Sequence, residues 1–346
     1  MPAQAAEIPS DASAAVIYAY QRIGEDSMPH ASLSAEQFSA QMAELKRGNY
    51  VVKPLSEVVA ALRAGQALPR NTVAITFDGA YRSTLEKAIP LLDQEGYPYT
   101  VFFSSENIDA NAASSMTWSD LRALSKKKNA ELGIMPAYYA HMVGNTMPAN
   151  VASINKALGR YREEIGGQPA YFAWPYGEYS TALKNKLAEY PFAAALTYHA
   201  GVAHAKSDMM ALPRFIMNDL VGEIERFKQT ASALPLPVSD VSPEDPVLKT
   251  NPPMIGFTVT PEIKSLAKLA CFISSQGKIK VSRVAGNRVE LRPETPFSDR
   301  RTRINCTLPD DLEIPGEDTH WRWLGFVYVD PEYGDEVQVT DTSGFE

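Results

Sequence analysis

The chain has 346 residues, a hydrophobic fraction of 45% and a formal net charge of -8 at pH 7. This length predicts two domains, because single hydrophobic cores stop growing near ~250–300 residues. The acidic balance excludes the basic surface that binds nucleic acid or an anionic membrane, whereas a neutral glycan is compatible with it. No apolar run approaches the ~20 residues of a transmembrane helix. We therefore expect neither a nucleic-acid partner nor a membrane span.

The first 233 residues alternate strand-like and helical patterns. One helix is predicted especially clearly, because Ser34 is a good N-cap and Gly48 follows a basic last turn. The predicted strands cover residues 15–20, 51–52, 73–77, 99–104, 132–135, 171–174, 192–196 and 212–217. The predicted helices after the first cover residues 56–63, 82–95, 117–126, 149–165, 180–189 and 220–233. Repeated βα units imply parallel strands, in an open sheet or in a barrel.

Proline dominates residues 234–253, which show no periodicity and are predicted to be a semi-rigid linker. After this segment come short strand-like runs separated by Gly, Asn, Asp and Pro, which is typical of a β-sandwich of about 90 residues. The predicted organisation is an α/β domain at 1–233, the linker at 234–253 and a β domain at 254–346. The last domain is a possible docking site for a protein partner.

The two cysteines, Cys271 and Cys306, lack the spacing of metal ligands. Two interpretations stay open, a disulfide in an exported protein or two buried thiols. The sequence Ala3-Gln4-Ala5 has the small residues of a signal-peptidase cleavage site. We therefore expect an exported protein, periplasmic or extracellular.

Asp78 is the first candidate for function, because it follows a buried strand and parallel strands place functional side chains at their carboxyl ends. Its surroundings, Thr76-Phe77-Asp78-Gly79-Ala80-Tyr81, resemble the first motif of the polysaccharide deacetylases, the NodB-homology or carbohydrate esterase family 4 enzymes. That motif usually reads Thr-Phe-Asp-Asp-Gly-Tyr. The resemblance implies a distorted (β/α) barrel, with Asp78 as general base and Gly79 where the family has a metal-binding carboxylate.

Two further positions depart from the same family. Gln21 follows Tyr20 in a segment similar to the permuted poly-N-acetylglucosamine deacetylases, in which a histidine at this place is the general acid. Met135 and Tyr139 stand where the family motif Gly-x-His-x-x-x-His supplies two imidazoles to the metal. A thioether and a neutral phenol are poor ligands for zinc. A relocated metal site at His141, His199 and His204 is disfavoured, because no pair has a usual ligand spacing.

The later motifs are better preserved. Residues 173–177, Ala-Trp-Pro-Tyr-Gly, resemble the family pattern Arg-x-Pro-Tyr-Gly, in which the amide at the tyrosine holds the oxyanion. Arg214 matches the arginine that orients the catalytic aspartate, so the resemblance predicts that it pairs with Asp78. Candidate substrate-binding residues are Tyr81, Trp174, Pro175 and Tyr176, although core packing is the alternative role for the aromatic rings.

These substitutions together remove one carboxylate, two imidazoles and one acid, and a catalytic metal needs about three protein ligands. We expect no bound metal, whereas the family uses a divalent ion such as zinc. The predicted function is a non-catalytic glycan-binding or accessory protein of carbohydrate metabolism, and its predicted partner is an acetylated amino-sugar polysaccharide or oligosaccharide. The alternative is an active hydrolase that removes an N- or O-acyl group from a sugar with Asp78 and an atypical or absent metal. The sequence leaves the particular glycan and the oligomeric state open.

Overall fold

The computed structural model describes residues 9–274, 276–311 and 319–333. Strands and helices alternate through the N-terminal part. Its strands are β1 (Ala14–Tyr20), β2 (Arg22–Ile23), β3 (Ser32–Leu33), β4 (Val51–Val52), β5 (Thr72–Asp78), β6 (Tyr99–Phe103), β7 (Ala130–Ile134), β8 (Tyr171–Ala173), β9 (Ala194–Leu196), β10 (Ala203–His204) and β11 (Phe215–Ile216). Its helices are α1 (Pro9–Ala12), α2 (Ala35–Arg47), α3 (Leu55–Ala64), α4 (Ile89–Glu95), α5 (Ser105–Asp109), α6 (Trp118–Leu124), α7 (Met147–Glu164), α8 (Thr181–Leu187) and α9 (Ile224–Ala231). A π-helical turn, Thr84–Ala88, precedes α4.

Nine of these strands form one curved sheet. The order along it is β10-β1-β5-β6-β7-β8-β9, with β4 beside β5 and β11 beside β1. The strands from β1 to β9 pair in parallel, and only β10 runs antiparallel. A bridge from Leu196 to Leu212 and the pairing of Phe215 with Tyr18 bring the last strand back toward the first. The predicted distorted (β/α) barrel is confirmed.

Local signals explain where the helices begin and end. The Ser34 hydroxyl accepts a hydrogen bond from the Gln37 amide at 3.1 Å, so α2 begins where its N-cap predicts. Thr117 and Asp120 form a reciprocal capping box at the start of α6. At the end of α3, Gly65 adopts φ 62°, which closes the helix in a left-handed turn.

Alternation along β5 sets the position of the site. Ile75 and Phe77 pack in the core between the sheet and the helices, whereas Ala74 belongs to the core inside the barrel, together with Met135. Because successive side chains of a strand point to opposite faces, Thr76 and Asp78 share the inner face with Ala74. Asp78 therefore lies inside the barrel, at the carboxyl end of β5.

The C-terminal part forms two sheets around a second core. Its strands are β12 (Leu234–Pro235), β13 (Val238–Ser242), β14 (Ile255–Val259), β15 (Ala270–Ile273), β16 (Gly277–Ile279), β17 (Val281–Arg283), β18 (Arg288–Leu291), β19 (Arg301–Pro309) and β20 (Trp321–Val329). One sheet has the order β12-β20-β19-β15-β16 and the other β13-β14-β18-β17. Cys271 and Cys306 face each other on β15 and β19 and form a disulfide, which decides between the two interpretations of these residues.

The segment predicted as a linker contributes strands to both C-terminal sheets, which corrects that prediction. Strand β12 pairs with β20, and β13 pairs with β14. Both are edge strands, where proline is tolerated because one side of the strand needs no partner. The boundaries of the two domains stay a prediction, and the possible cleavage site at residues 3–5 lies outside the described residues.

Strand β20 joins the two parts of the chain. Trp323 and Val327 belong to the hydrophobic core of the barrel, whereas Phe326 and Tyr328 belong to the core of the C-terminal sheets. Between them, a Cβ on Gly325 would lie 2.3 Å from the Ala200 carbonyl oxygen, so only glycine permits this approach. Within the described ranges, no helix combines the length and apolar character needed to cross a membrane.

Candidate functional site

Asp78 is held in a buried, bidentate ion pair with Arg214. The Arg214 Nη1 and Nη2 groups donate to Asp78 Oδ1 and Oδ2 at 2.8 Å and 2.7 Å, and both side chains are 0% exposed. The pairing expected for these two residues is therefore present. Parallel hydrogen bonds between a guanidinium and a carboxylate are among the stronger polar contacts in proteins, and here they fix both groups.

The remaining donors of Arg214 are satisfied inside the barrel. Its Nε donates to the Thr197 carbonyl at 3.1 Å, and Nη1 also donates to the Thr76 hydroxyl at 2.9 Å. Burial alone would lower the pKa of Arg214, but the Asp78 carboxylate outweighs it, so the pKa is raised. The arginine thus stays charged, and it connects three strand ends across the barrel.

Tyrosine hydroxyls cover the carboxylate. Tyr198 donates to Asp78 Oδ2 at 2.7 Å, and Gln21 Nε2 donates to the hydroxyls of both Tyr198 and Tyr139 at 3.0 Å. Burial raises the pKa of Tyr198, and the neighbouring Asp78 charge raises it further, so the phenol stays protonated and keeps donating. Gln21 therefore fixes two phenols above the ion pair.

Three half-buried tyrosines surround the mouth of this site. Tyr139 and Tyr176 meet edge to face, with ring centroids 4.8 Å apart, and the guanidinium of Arg22 lies 3.7 Å from the ring centroid of Tyr81. Burial raises the pKa of Tyr139, and Tyr198, Tyr81, Tyr176 and Asp78 raise it further by their proximity. The rings thus form one cluster above the buried ion pair.

The C-terminal part reaches the edge of the same mouth. Arg301 lies 5.0 Å from the ring centroid of Tyr176 and donates to its carbonyl at 3.3 Å. Glu178 is fully buried beneath, 3.4 Å from the Arg300 Nε and 2.9 Å from His141 Nδ1. The imidazole of His141 stacks on Tyr176 at 4.0 Å. The loop after β8 is therefore clamped between its own barrel and strand β19.

The family model for polysaccharide deacetylase matches residues 65–195, which include β5 with Asp78 and the loop after β8. This chain carries a polysaccharide deacetylase domain of the NodB type. A curated relative, the poly-beta-1,6-N-acetyl-D-glucosamine N-deacetylase of Escherichia coli (strain K12), is 23% identical over 231 residues. The match covers 54% of this chain and 34% of the relative, so the chain spans about a third of the length of the curated relatives it matches.

Solved structures match the deacetylase domain in fold. The Streptococcus pyogenes deacetylase PplD in complex with acetate has a TM-score of 0.58 at 16% identity, covering 63% of this chain and 98% of its own. IcaB from Ammonifex degensii has a TM-score of 0.57 at 18% identity, covering 64% of this chain and 97% of its own. At these identities the likeness concerns the fold, and the chemistry must be argued from the residues of this chain.

The residues at the family's metal positions do not fit a metal ion. Gly79 has no side chain, Met135 is buried in the inner core, and the Tyr139 hydroxyl accepts from Gln21. The ring of Tyr81 also fills the adjacent space, because a Cβ on Gly79 would lie 2.3 Å from Tyr81 Cε2. Within the part of the chain that the structure describes, no three His, Cys, Asp or Glu side chains gather to hold a metal. The catalytic roles expected from the family remain predictions.

Two of the predicted substrate-binding residues do not face the mouth, which corrects that prediction. Trp174 is 0% exposed, and its Nε1 donates to the Met210 carbonyl at 2.9 Å, so its ring packs in the core. Pro175 is buried as well. Tyr81 and Tyr176 do lie at the mouth.

Several residues of the site were not predicted from the sequence. Thr76 lies two positions before Asp78 on the same predicted strand, so the two-residue alternation would have found it. Tyr198 follows the predicted strand at residues 192–196, and a tyrosine just after a strand end is a weak signal. Arg300 and Arg301 come from the C-terminal part, and nothing local in the sequence places them here.

Proposed function

We propose that this protein is a non-catalytic, glycan-binding member of the polysaccharide deacetylase family. The observation that carries this proposal is the state of Asp78, which is 0% exposed and whose two oxygens are both occupied. A general base must lie within hydrogen-bond reach of the proton that it removes. Asp78 is separated from the mouth by Tyr198, Tyr139 and Gln21, so substrate cannot reach it without disrupting this network.

This geometry does not support the alternative of an active acyl hydrolase. Hydrolysis needs an activated water, and the residues at the metal positions supply no ligand set for one. The Arg214 guanidinium, which would otherwise stabilise negative charge, is bound to Asp78, Thr76 and Thr197. The ion pair is better explained as a structural element that holds the strand ends together.

The ligand surface in this proposal is the mouth of the barrel. Aromatic rings bind the apolar faces of sugars, and the rings of Tyr81, Tyr139 and Tyr176 are half-buried there. Tyr138 next to them is 53% exposed. The named relative acts on poly-beta-1,6-N-acetyl-D-glucosamine, which supports an acetylated amino-sugar polysaccharide or oligosaccharide as the ligand class.

The decisive experiment measures acetate release and binding on the same β-1,6-linked N-acetylglucosamine oligosaccharide. We expect no release above background, with or without added zinc, nickel or cobalt, and we expect binding by calorimetry. Tyr176→Ala should weaken binding by about 1–3 kcal/mol. The matched control is Tyr97→Ala, because Tyr97 precedes β6 at the opposite, amino-terminal edge of the sheet. Metal-dependent release of acetate at catalytic rates would overturn the proposal.

We also infer that the protein is exported. The Cys271–Cys306 disulfide supports this inference, because such bonds persist in oxidising compartments. Thiol labelling of the protein taken directly from cells under denaturing conditions tests it. Two free thiols in a soluble cytosolic fraction would contradict export.

A further inference from the structure

Tyr176 has a backbone conformation that residues with a side chain rarely adopt. Its φ of 56° and ψ of 8° are left-handed, and Gly177 follows with φ 70°. A tyrosine is strained in this conformation, because its Cβ comes too close to the following carbonyl oxygen. Such strain persists only where the surrounding structure holds the residue in place. The position of the Tyr176 ring at the mouth therefore depends on the contacts of its loop.

These contacts come from two other segments of the chain. In the segment after β7, His141 stacks on the Tyr176 ring at 4.0 Å, and Tyr139 meets it edge to face at 4.8 Å. At the start of β19, the Arg301 guanidinium lies 5.0 Å from the ring centroid, and its Nη1 donates to the Tyr176 carbonyl at 3.3 Å. Arg301 thus contacts both the ring and the strained backbone of Tyr176.

A buried carboxylate connects the same loop to both arginines at the start of β19. Glu178 lies two residues after Tyr176, and its side chain is 0% exposed. Its Oε1 lies 3.4 Å from Arg300 Nε and 3.6 Å from Arg301 Nε. Arg300 Nη2 also donates to the Val143 carbonyl at 2.8 Å, in the segment after β7. The two arginines therefore fix the segments after β7 and β8 relative to each other.

The backbone that carries these arginines is itself fixed against the barrel. Arg301 pairs with Val329 at one end of the ladder between β19 and β20, and Val327 and Val329 belong to the core of the barrel. Paired strands in a core open only with much of the fold. The C-terminal sheets are thus a rigid support for the loop that carries Tyr176.

Arg300 and Arg301 are buried, so a ligand at the mouth would meet the Tyr176 ring rather than their guanidinium groups. We propose that these two arginines are positioning residues for glycan binding, because they hold Tyr176 where its ring faces the sugar. This inference rests on the function proposed for the mouth, and it gives the C-terminal sheets a part in that function. Only molecules with the loop in place bind, so the affinity depends on residues that do not touch the ligand.

The first measurement is calorimetric titration of the full chain with the β-1,6-linked N-acetylglucosamine oligosaccharide. Arg301→Ala should weaken binding at least about five-fold, because part of the population then has the loop out of place. Arg301→Lys keeps a cation beside Tyr176 and Glu178 and should recover part of the affinity. Added to Tyr176→Ala, the change Arg301→Ala should have no further effect, since the arginine acts through that ring. Additive losses of affinity would overturn the inference.

Arg322→Ala is the matched control for loss of stability. Arg322 is a buried arginine near the other end of the same two strands, where it forms ion pairs with Asp11 at 2.8 Å and Asp310 at 2.9 Å. Its replacement should lower stability and leave the affinity unchanged, at a temperature where circular dichroism shows every variant folded. If Arg322→Ala weakens binding as much as Arg301→Ala does, affinity follows stability and the inference is wrong.

Amide hydrogen exchange without ligand separates this inference from the function on which it rests. The Gly177 amide donates to the Trp174 carbonyl at 2.9 Å, and the Glu178 amide donates to the Pro175 carbonyl at 3.1 Å. Arg301→Ala should speed the exchange of these two amides at least several-fold, whereas the control variant should not. Unchanged exchange in Arg301→Ala would overturn the inference. If the unchanged chain binds no oligosaccharide, the proposed function fails, and the exchange still decides whether Arg301 holds the loop.

Discussion

The polar groups around Asp78 are hydrogen-bonded to one another, whereas two buried polar groups where the barrel meets β20 have no partner within the described residues. One segment of chain contributes to both regions. Tyr198 points into the barrel and donates to Asp78 at 2.7 Å. His199, the next residue, lies beside β20, and its buried Nε2 has no hydrogen-bond partner within the described residues. Successive side chains of an extended segment point to opposite sides, so one segment serves both regions.

The two regions differ in how completely their buried polar groups are hydrogen-bonded. A buried polar network that is fully satisfied makes a core rigid, whereas a partly satisfied one costs free energy until something completes it. Around Asp78, both carboxylate oxygens and three guanidinium nitrogens have partners. Where the barrel meets β20, the Tyr328 hydroxyl and His199 Nε2 are buried without a hydrogen-bond partner within the described residues. We therefore expect removal of a polar group in the first region to lower stability, and removal of an unpaired one in the second to leave stability unchanged or to raise it.

The largest effect is expected for Asp78→Asn. This change leaves the buried Arg214 guanidinium without its counter-ion, and breaking a buried ion pair costs about 3–5 kcal/mol. Urea unfolding followed by circular dichroism measures the loss. The double variant Asp78→Leu, Arg214→Met removes both charges and should recover most of it, because a buried pair can be replaced by apolar groups at little cost. A loss below about 1 kcal/mol for Asp78→Asn would contradict a structural role.

A smaller loss is expected for Tyr198→Phe. The variant removes the hydrogen bond from the phenol to the Asp78 carboxylate, and hydrogen bonds to charged groups contribute about 1.5–3 kcal/mol. It also takes away one of the two acceptors of Gln21. The free energy of unfolding checks the prediction. Tyr97→Phe is the control, and an equal loss there would show that the effect comes from tyrosine packing in general.

The stability of the folded chain should depend on pH through His199. Burial, with a further contribution from Lys184, lowers the pKa of His199 from 6.5 to about 4. In the unfolded chain the imidazole is protonated below about pH 6.5, whereas in the folded chain it stays neutral down to about pH 4. The free energy of unfolding therefore falls as the pH drops through this window. At pH 5 the loss is about 2 kcal/mol for this residue. His204 has a pKa of about 4 as well, so His199→Phe should remove about half of the pH dependence between pH 7 and pH 5. An unchanged pH profile in His199→Phe would show that other groups dominate.

Part of this site could be predicted from the sequence. Family motifs predicted the pairing of Asp78 with Arg214, because both residues match motif positions next to predicted strands. The motifs identify which residues lie near the site, but they do not show whether a side chain is exposed. Trp174 was therefore predicted to bind ligand, although its ring is in the core. The proline-rich segment at 234–253 suggested a linker, since proline lacks an N–H group, yet edge strands tolerate proline. The contact between β20 and the barrel could not be predicted, because Gly325 and Ala200 lie far apart in the sequence.

The smallest effect on stability is expected for Tyr328→Phe. The Tyr328 hydroxyl is buried without a partner within the described residues, so its removal sacrifices no hydrogen bond and relieves a desolvation penalty. The free energy of unfolding should stay the same or rise by up to about 1 kcal/mol.

Tyr198→Phe makes the same chemical change in the hydrogen-bonded network around Asp78 and should lower the free energy of unfolding. The effects of the two variants should therefore differ in sign or by at least about 1 kcal/mol. Equal losses in both variants would mean that Tyr328 already has a partner, and the distinction between the two regions would fail.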